Sequence, residues 1–284
     1  MIYADAHAHT NPLKGLGAKA VAERFRGSGG WFIALVSLPP TSLGLEPNLE
    51  GFSKSLELVI SECSRAREAG VRVSCLGGFH PGMVDKMIDR LGMKPEDAYR
   101  VSTQAIDLAA REIEKGSLDG IAEVGRPHYQ VKPHYVVISE LVLDHALERA
   151  RDLGAIVHLH LEEGGWATAY DIKKRLDRIG IAAEKVAMHH AKPGLAEHAI
   201  SMGIPTTIPA LYPVITTIAR TIDIALYMLE SDYIDDPSRP GRVLYPWEIS
   251  ENTEKAIREG ILTEEKAHKI HVDNISKFYG VEPP

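Results

Sequence analysis

Short apolar runs alternate along the chain with longer stretches whose apolar residues recur at helical spacing. The runs fall at 1–7, 31–38, 71–78, 120–125, 155–161, 185–190, 205–210 and 225–232. Several are apolar without interruption, the pattern of strands covered on both faces. Run 205–210 is the weakest, being short and holding two prolines. Between the runs, stretch 53–70 carries Leu56, Val59, Ile60 and Cys63 at helical spacing and ends at Gly70, a helix stop. Stretches 96–116 and 139–154 are patterned in the same way, each ending at a glycine. Eight strands alternating with helices predict an α/β protein, a (β/α)8 TIM barrel, as a single domain over 1–284. Stretches 39–51 and 235–247 read as long functional loops.

Composition narrows the function classes. With 44% hydrophobic and 25% charged residues the chain is ordinary for a soluble globular protein. A net charge of −7 excludes a general basic surface for a long nucleic acid, though not a local basic pocket for a strand end. Cys63 and Cys75 are too few for a disulfide framework and lack zinc-finger spacing. No apolar run reaches transmembrane length, and no basic segment followed by an apolar core opens the chain. The expectation is a cytoplasmic protein with no membrane partner. Trp31, Trp166 and Trp247 could face a partner or the core, so the oligomeric state stays open.

The chemistry starts at DAHAH, residues 5–9. On a strand Asp5, His7 and His9 share one face. Two imidazoles about 6 to 7 Å apart along a strand can bind one metal ion from the same side. An isolated His-x-His is short enough to arise by chance, so the other strand ends decide its meaning. In such a barrel the active site lies at the C-terminal strand ends. There the sequence places Glu123 on the fourth run, His158 and His160 on the fifth, His189 and His190 on the sixth, and Glu230 and Asp232 on the eighth. A lone histidine in an apolar strand is more often a hydrogen-bonded core residue, but here six of thirteen sit on three strand ends. Imidazoles and carboxylates without thiolate suit zinc, manganese or a similar divalent ion.

The motifs DAHAH, GGFHPG, IAEVGRPHY, HLHLEE, VAMHH and LESDY, in this order and on to the terminal IHVDNISKFYG, resemble the TatD-related branch of the amidohydrolase superfamily. The resemblance covers nearly the whole chain. It implies a metal-dependent hydrolase with a barrel fold and two divalent ions, zinc first, with manganese, magnesium or cobalt as alternatives. Carried over by position, His7 and His9 match the strand-one pair and Glu123 the carboxylate between the metals. His160 with Glu162 fits the His-x-Glu pattern, and His189 fits the strand-six histidine, or His190 if the match slips by one. Asp232 matches the strand-eight aspartate. The segment RPHY after Glu123 departs from the Leu-Asp pair of many relatives, which bears on substrate class.

On that resemblance, His7, His9, Glu123 and Asp232 would hold one ion, and Glu123, His160 and His189 the other. Such a pair lowers the pKa of a bound water, and Asp232 is the catalytic candidate for taking its proton. His80 could orient a substrate oxygen. Arg126, His128 and Lys132 would make a cationic lip for an anionic substrate. Asp5 and Glu162 could fix ring tautomers by accepting a proton from a ligating histidine. Three functions remain: a phosphodiesterase of deoxyribonuclease type acting on nucleic-acid ends, a lactonase, amidase or deaminase acting on a small molecule, and a barrel that binds metal or ligand without turnover. The last fits least, because burying so many polar groups to no purpose costs free energy.

Overall fold

A computed structural model describes residues 1–222, 226–239 and 243–284. Nine parallel strands among these residues form one sheet: β1 Tyr3–His9, β2 Gly30–Val36, β3 Arg72–Gly77, β4 Gly120–Gly125, β5 Ile156–His160, β6 Val186–Met188, β7 Thr206–Pro209, β8 Tyr227–Glu230 and β9 Tyr233–Ile234. Their order runs from β8 stepwise down to β1 and then β9. Strand β9 follows β8 after only Ser231 and Asp232, and pairs Tyr233 with Ala8 and Ile234 with His9. The eighth strand segment therefore turns back onto the first, in the manner of a (β/α)8 barrel. A two-residue strand shows no periodicity, which is why the sequence pattern missed β9.

The helices α1 Ala18–Gly27, α2 Leu49–Glu68, α3 Met83–Asp89, α4 Pro95–Glu114, α5 Pro133–Leu153, α6 Trp166–Ile179, α7 Pro193–Ser201 and α8 Tyr212–Thr221 lie between successive strands. Helices α9 Glu248–Arg258, α10 Glu264–His268 and α11 Asn274–Tyr279 follow the sheet. Helix α5 stops where the pattern placed its end, at Gly154 with φ 63°, a backbone that glycine adopts without a Cβ penalty. It begins at Pro133, earlier than residue 139. Proline suits a first helical turn, and burial of Tyr135 and Ile138 overrides the strand-like run that follows it. Loop 39–51 holds a 3-10 turn, Pro40–Leu43, and the start of α2, capped by the Asn48 side chain accepting from Gly51 N at 2.9 Å. Ala225, at the start of the expected eighth run, and residues 240–242 of loop 235–247 lie outside the described residues.

Burial explains the uninterrupted apolar runs: β2, β4, β5 and β6 are buried along their whole length. Ile275 and Phe278 of α11 pack in one cluster with Ala4, Phe32, Ile156 and Met228. The two cysteines form a single buried bridge joining α2 to β3, with Cα atoms 5.9 Å apart. Trp31 is buried and donates to the His271 carbonyl at 2.9 Å, whereas Trp166 is exposed and stacks on Tyr170. No helix among the described residues is long and apolar enough to cross a membrane.

His271 ties the C-terminal segment to β1. Its Nδ1 accepts from the Ala4 N–H at 3.2 Å, so its Nε2–H donates to Thr253 Oγ1 at 3.1 Å. Burial pushes its pKa down to about 4. The unfolded chain takes a proton near the ordinary value of 6.5, before the folded ring does. Stability from this group is thus complete above pH 6.5 and falls as pH drops toward 4, by about 1.4 kcal/mol per pH unit. Denaturant unfolding of metal-free protein between these pH values should show a slope shallower by about one proton in His271→Gln. An unchanged slope would mean that the folded ring is not held neutral.

Candidate metal centre

The C-terminal strand ends bring a set of nitrogen and oxygen acceptors together, and hydrogen bonds fix which atoms are bare. The His9 Nδ1–H donates to the Val36 carbonyl at 3.0 Å, leaving its Nε2 lone pair free. Tyr279 donates its hydroxyl proton to the Ala6 carbonyl at 2.6 Å and accepts from His158 Nε2–H at 3.1 Å. His158 Nδ1 is therefore an acceptor, and it takes the His7 Nδ1–H at 2.9 Å. Both free nitrogens, His7 Nε2 and His9 Nε2, lie 3.3 Å apart. They stand 3.3 and 3.0 Å from Glu123 Oε1. Three acceptors meeting with no proton between them repel one another unless a cation lies among them.

Ionisation states agree with that geometry. Burial opposes charge on Glu123, but the surrounding His80, His160, His7 and His9 outweigh it and hold the carboxyl well below its usual range. Burial pushes His7 down to about 4, so its ring stays neutral near pH 7. On His9 burial is outweighed by Glu123 and Asp232, and the pKa rises. The cluster thus draws positive charge to itself, as a proton on His9 or as a metal ion that displaces it.

Among the described residues, ligand-competent atoms within 4.8 Å of one another form four sets: His7, His9 and Asp232; His7, Glu123 and His189; His80, Glu123 and His160; His128, His160 and His190. Glu123 Oε2 and His160 Nε2 are buried without a hydrogen-bond partner. These residues fit a divalent ion in donor type and convergence.

Each residue singled out from the sequence now has a place. His7, His9, Glu123, His160, His189 and Asp232 all reach the cluster, but not in the expected pairing. His189 stacks on His7 with centroids 3.5 Å apart, and its ring lies 6.1 Å from that of His160. Its Nδ1 is 2.8 Å from Glu230 Oε2, and its Nε2 faces Asp232 Oδ1 at 3.6 Å. His190 instead reaches His160, Nε2 to Nδ1 at 3.2 Å. His190 has a left-handed φ of 46°, and its ring stands edge-on to that of His189 with centroids 4.4 Å apart.

His80 is fixed as a donor. Its Nδ1 accepts from the Gly82 N–H at 3.0 Å, so Nε2–H points toward Glu123 Oε2 at 3.5 Å.

Asp232 also has a left-handed φ, 47°. Burial, reinforced by Glu123 and Asp5 against His9 and His160, pushes its carboxyl up to about 7. Asp5 contacts no ligating ring through its carboxylate. It accepts from Ser231 N at 2.9 Å, Ser231 Oγ at 2.5 Å and the His7 N–H at 3.2 Å, and so anchors the residue beside Asp232.

Arg126 and Glu162 bind each other. Arg126 Nε and Nη2 make two 2.8 Å bonds to Glu162, and Nη1 reaches Asp171 at 2.5 Å and Glu140 at 3.3 Å. Arg126 is therefore a buried strap between the ends of β4 and β5 rather than part of a lip, and Glu162 fixes no ring tautomer. Lys132 is likewise held by Asp89. Of the expected lip only His128 lines the cavity of about 340 Å³ above the cluster. The cations that do line it are Lys86 and Arg239. Sequence reading missed these two, and also Tyr279 and the orienting roles of His158 and Glu230. His158 and Glu230 did leave a signal, each two positions before a candidate ligand, His160 and Asp232.

Comparison with known proteins gives the family and the fold. The family model described as TatD related DNase matches residues 4–280. An uncharacterized protein of Methanocaldococcus jannaschii is 27% identical over 279 residues, 98% of this chain and 95% of that protein. A TatD homolog of known structure from Escherichia coli K12 is similar with a TM-score of 0.68 at 17% identity, covering 98% of each chain. A mutant PTE-like lactonase from Deinococcus radiodurans has a TM-score of 0.68 at 16% identity, covering 98% of this chain and 95% of that one. At such identities the structural likeness shows the fold.

The Tyr279–His158–His7 chain yields a test. Tyr279→Phe removes the acceptor of His158 Nε2–H and frees the His158 tautomer. Zinc affinity, measured by competition with a chelator, should fall about 10- to 100-fold, as for other outer hydrogen-bond partners of metal sites. Wild-type affinity in this variant would show that the chain does not orient His7.

Proposed function

The chain belongs to the TatD related DNase family, and from that premise we propose that it hydrolyses phosphodiester bonds at nucleic-acid ends with two divalent ions, zinc foremost. The whole chain acts as one hydrolase unit. The observation that carries the metal reading is the meeting of His7 Nε2, His9 Nε2 and Glu123 Oε1 as bare acceptors. In this reading His7, His9, Asp232 and Glu123 hold one ion, with His189 beside them. Glu123 presents its other oxygen toward His160, and these two residues would hold the second ion.

A divalent ion there supplies Lewis acidity and lowers the pKa of a coordinated water. Asp232 holds or takes the proton of the attacking water. In the absence of an ion, burial pushes its carboxyl up to about 7, the direction that makes it a stronger base. His80 offers its Nε2–H to a substrate oxygen.

The anionic substrate class rests on Lys86 and Arg239. Lys86 Nζ donates to Thr41 Oγ1 at 3.0 Å and Arg239 Nε to Asp236 at 2.9 Å, which positions both charges on the cavity wall. A phosphodiester gives them an anionic oxygen to pair with, whereas a neutral lactone offers only uncharged acceptors. The cavity of about 340 Å³ and the net charge of −7 favour a strand end over a long duplex. Lactonase action on a small molecule is the second reading, favoured by the fold shared with the PTE-like lactonase. A cytoplasmic location goes with either; in a reducing compartment Cys63 and Cys75 would stand as a buried thiol pair.

Turnover of an end-labelled single-stranded oligonucleotide and of a neutral lactone, before and after chelation, tests this function. Activity on the oligonucleotide should vanish with chelator and return with zinc, manganese or cobalt. Asp232→Asn should lower kcat by about 10²- to 10⁴-fold. Lys86→Met should raise KM for the oligonucleotide more than for any neutral ester. Turnover of the lactone alone would replace the nuclease reading with the second one.

A further inference from the structure

The second ion position carries more histidine than a shared carboxylate and one ring would need. We infer that His128, His160 and His190 together ligate the ion on the outer side of Glu123, with His128 as an added ligand that makes the position a three-histidine site. This rests on the metal reading given above. Ligand atoms of the three rings lie within 4.8 Å of one another. The ring of His128 is 4.5 Å from that of His160 and 5.3 Å from that of His190, and His160 and His190 are 4.6 Å apart.

Backbone and side-chain devices both serve this convergence. His190 and Asp232 are the two non-glycine residues with positive φ among the described residues, and both are in the centre. Such backbone persists where the surroundings over-determine it, and it clusters at functional sites. At His190 it stands the ring edge-on to both His189 and His160, with Nε2 3.2 Å from His160 Nδ1. His128 lies two residues beyond Arg126, whose bidentate pair with Glu162 joins that segment to the chain two residues beyond His160. The strap thereby sets His128 against His160. Exposure of His128 at the cavity rim leaves the position open to an ion from solvent, while His160 is buried.

Donor chemistry selects the ion. Three imidazoles and one carboxylate oxygen suit zinc or cobalt, whereas magnesium prefers oxygen and keeps its water. His80 is no competitor for the position, because its ligand-facing nitrogen carries the proton. His189 is held on the other side by Glu230 and His7.

The test loads the full chain with cobalt(II) and reads its visible absorption, with ions per chain counted by elemental analysis and affinity by chelator competition. Wild-type protein should hold two ions, and excess magnesium should not displace the outer one. His128→Ala should keep the inner ion and weaken the outer one by at least the about 10- to 100-fold seen for outer partners. Its cobalt spectrum should change as well. His190→Ala should do the same, and His189→Ala should leave the outer ion in place. Two ions with unaltered affinity and spectrum in His128→Ala would overturn the inference. So would loss of the outer ion in His189→Ala instead of His190→Ala. Because His128 is exposed, its variant remains readable if His190→Ala fails to fold. Wild-type protein that binds no ion would remove the metal reading itself, a different result from two ions insensitive to His128.

Discussion

The Nδ1–H groups of His7 and His9 are both committed away from the contact these rings make with Glu123. Val36 takes the proton of His9, and His158 takes that of His7, itself fixed by Tyr279. What remains is a buried anion facing two bare nitrogens, an arrangement that only positive charge makes stable. Much of the barrel's detail serves this constraint. The return of β9 onto β1 holds His9 in register, and Asp5 grips Ser231 so that Asp232 faces the same point.

Two clamps bracket the centre, and both consume charges that a reader of the sequence assigns to substrate or tautomer control. Asp5 joins β1 to the segment after β8; Arg126 joins the chain after β4 to that after β5. A bidentate guanidinium–carboxylate pair fixes direction as well as distance, and it leaves little of either charge to attract a ligand. Breaking such a pair would strand a half-buried charge, which makes the strap costly to lose and explains why it can carry the precision of the neighbouring rings. Lys86 and Arg239 keep the opposite balance. Each gives one contact to its support and stays on the cavity wall.

How much of this was legible along the chain follows from the range of each interaction. Strand and helix periods are local, so the eight runs and the ends that carry His7, His9, Glu123 and His160 could be read directly. Which of His189 and His190 faces which neighbour depends on one backbone angle, φ 46°, that no period encodes. Partners of Arg126 lie 14, 36 and 45 positions away, and Tyr279 meets His158 across 121 positions. Such pairs arise only when the barrel brings strand ends together. Composition cannot distinguish a guanidinium clamped by carboxylates from one free to meet a ligand.

The acidity of the molecule and the charge of its cavity act at different ranges. Fields from the surface are screened within about 10 Å in ordinary salt, so the net charge of −7 opposes long anions lying along the protein. Inside the cavity the balance is local. Glu123 and Asp232 face Lys86 and Arg239, which nearly cancel before any ion binds. Each divalent ion of the proposed pair would add two positive charges to a volume of about 340 Å³ where screening is weak. That surplus would be strong and short-ranged. A substrate that presents one or two phosphate oxygens at a free end can use it fully. A chain that must run across the acidic exterior to reach it loses part of that attraction. On the proposed function, a preference for ends would follow from where the positive charge is confined, without any loop shaped to exclude the middle of a strand.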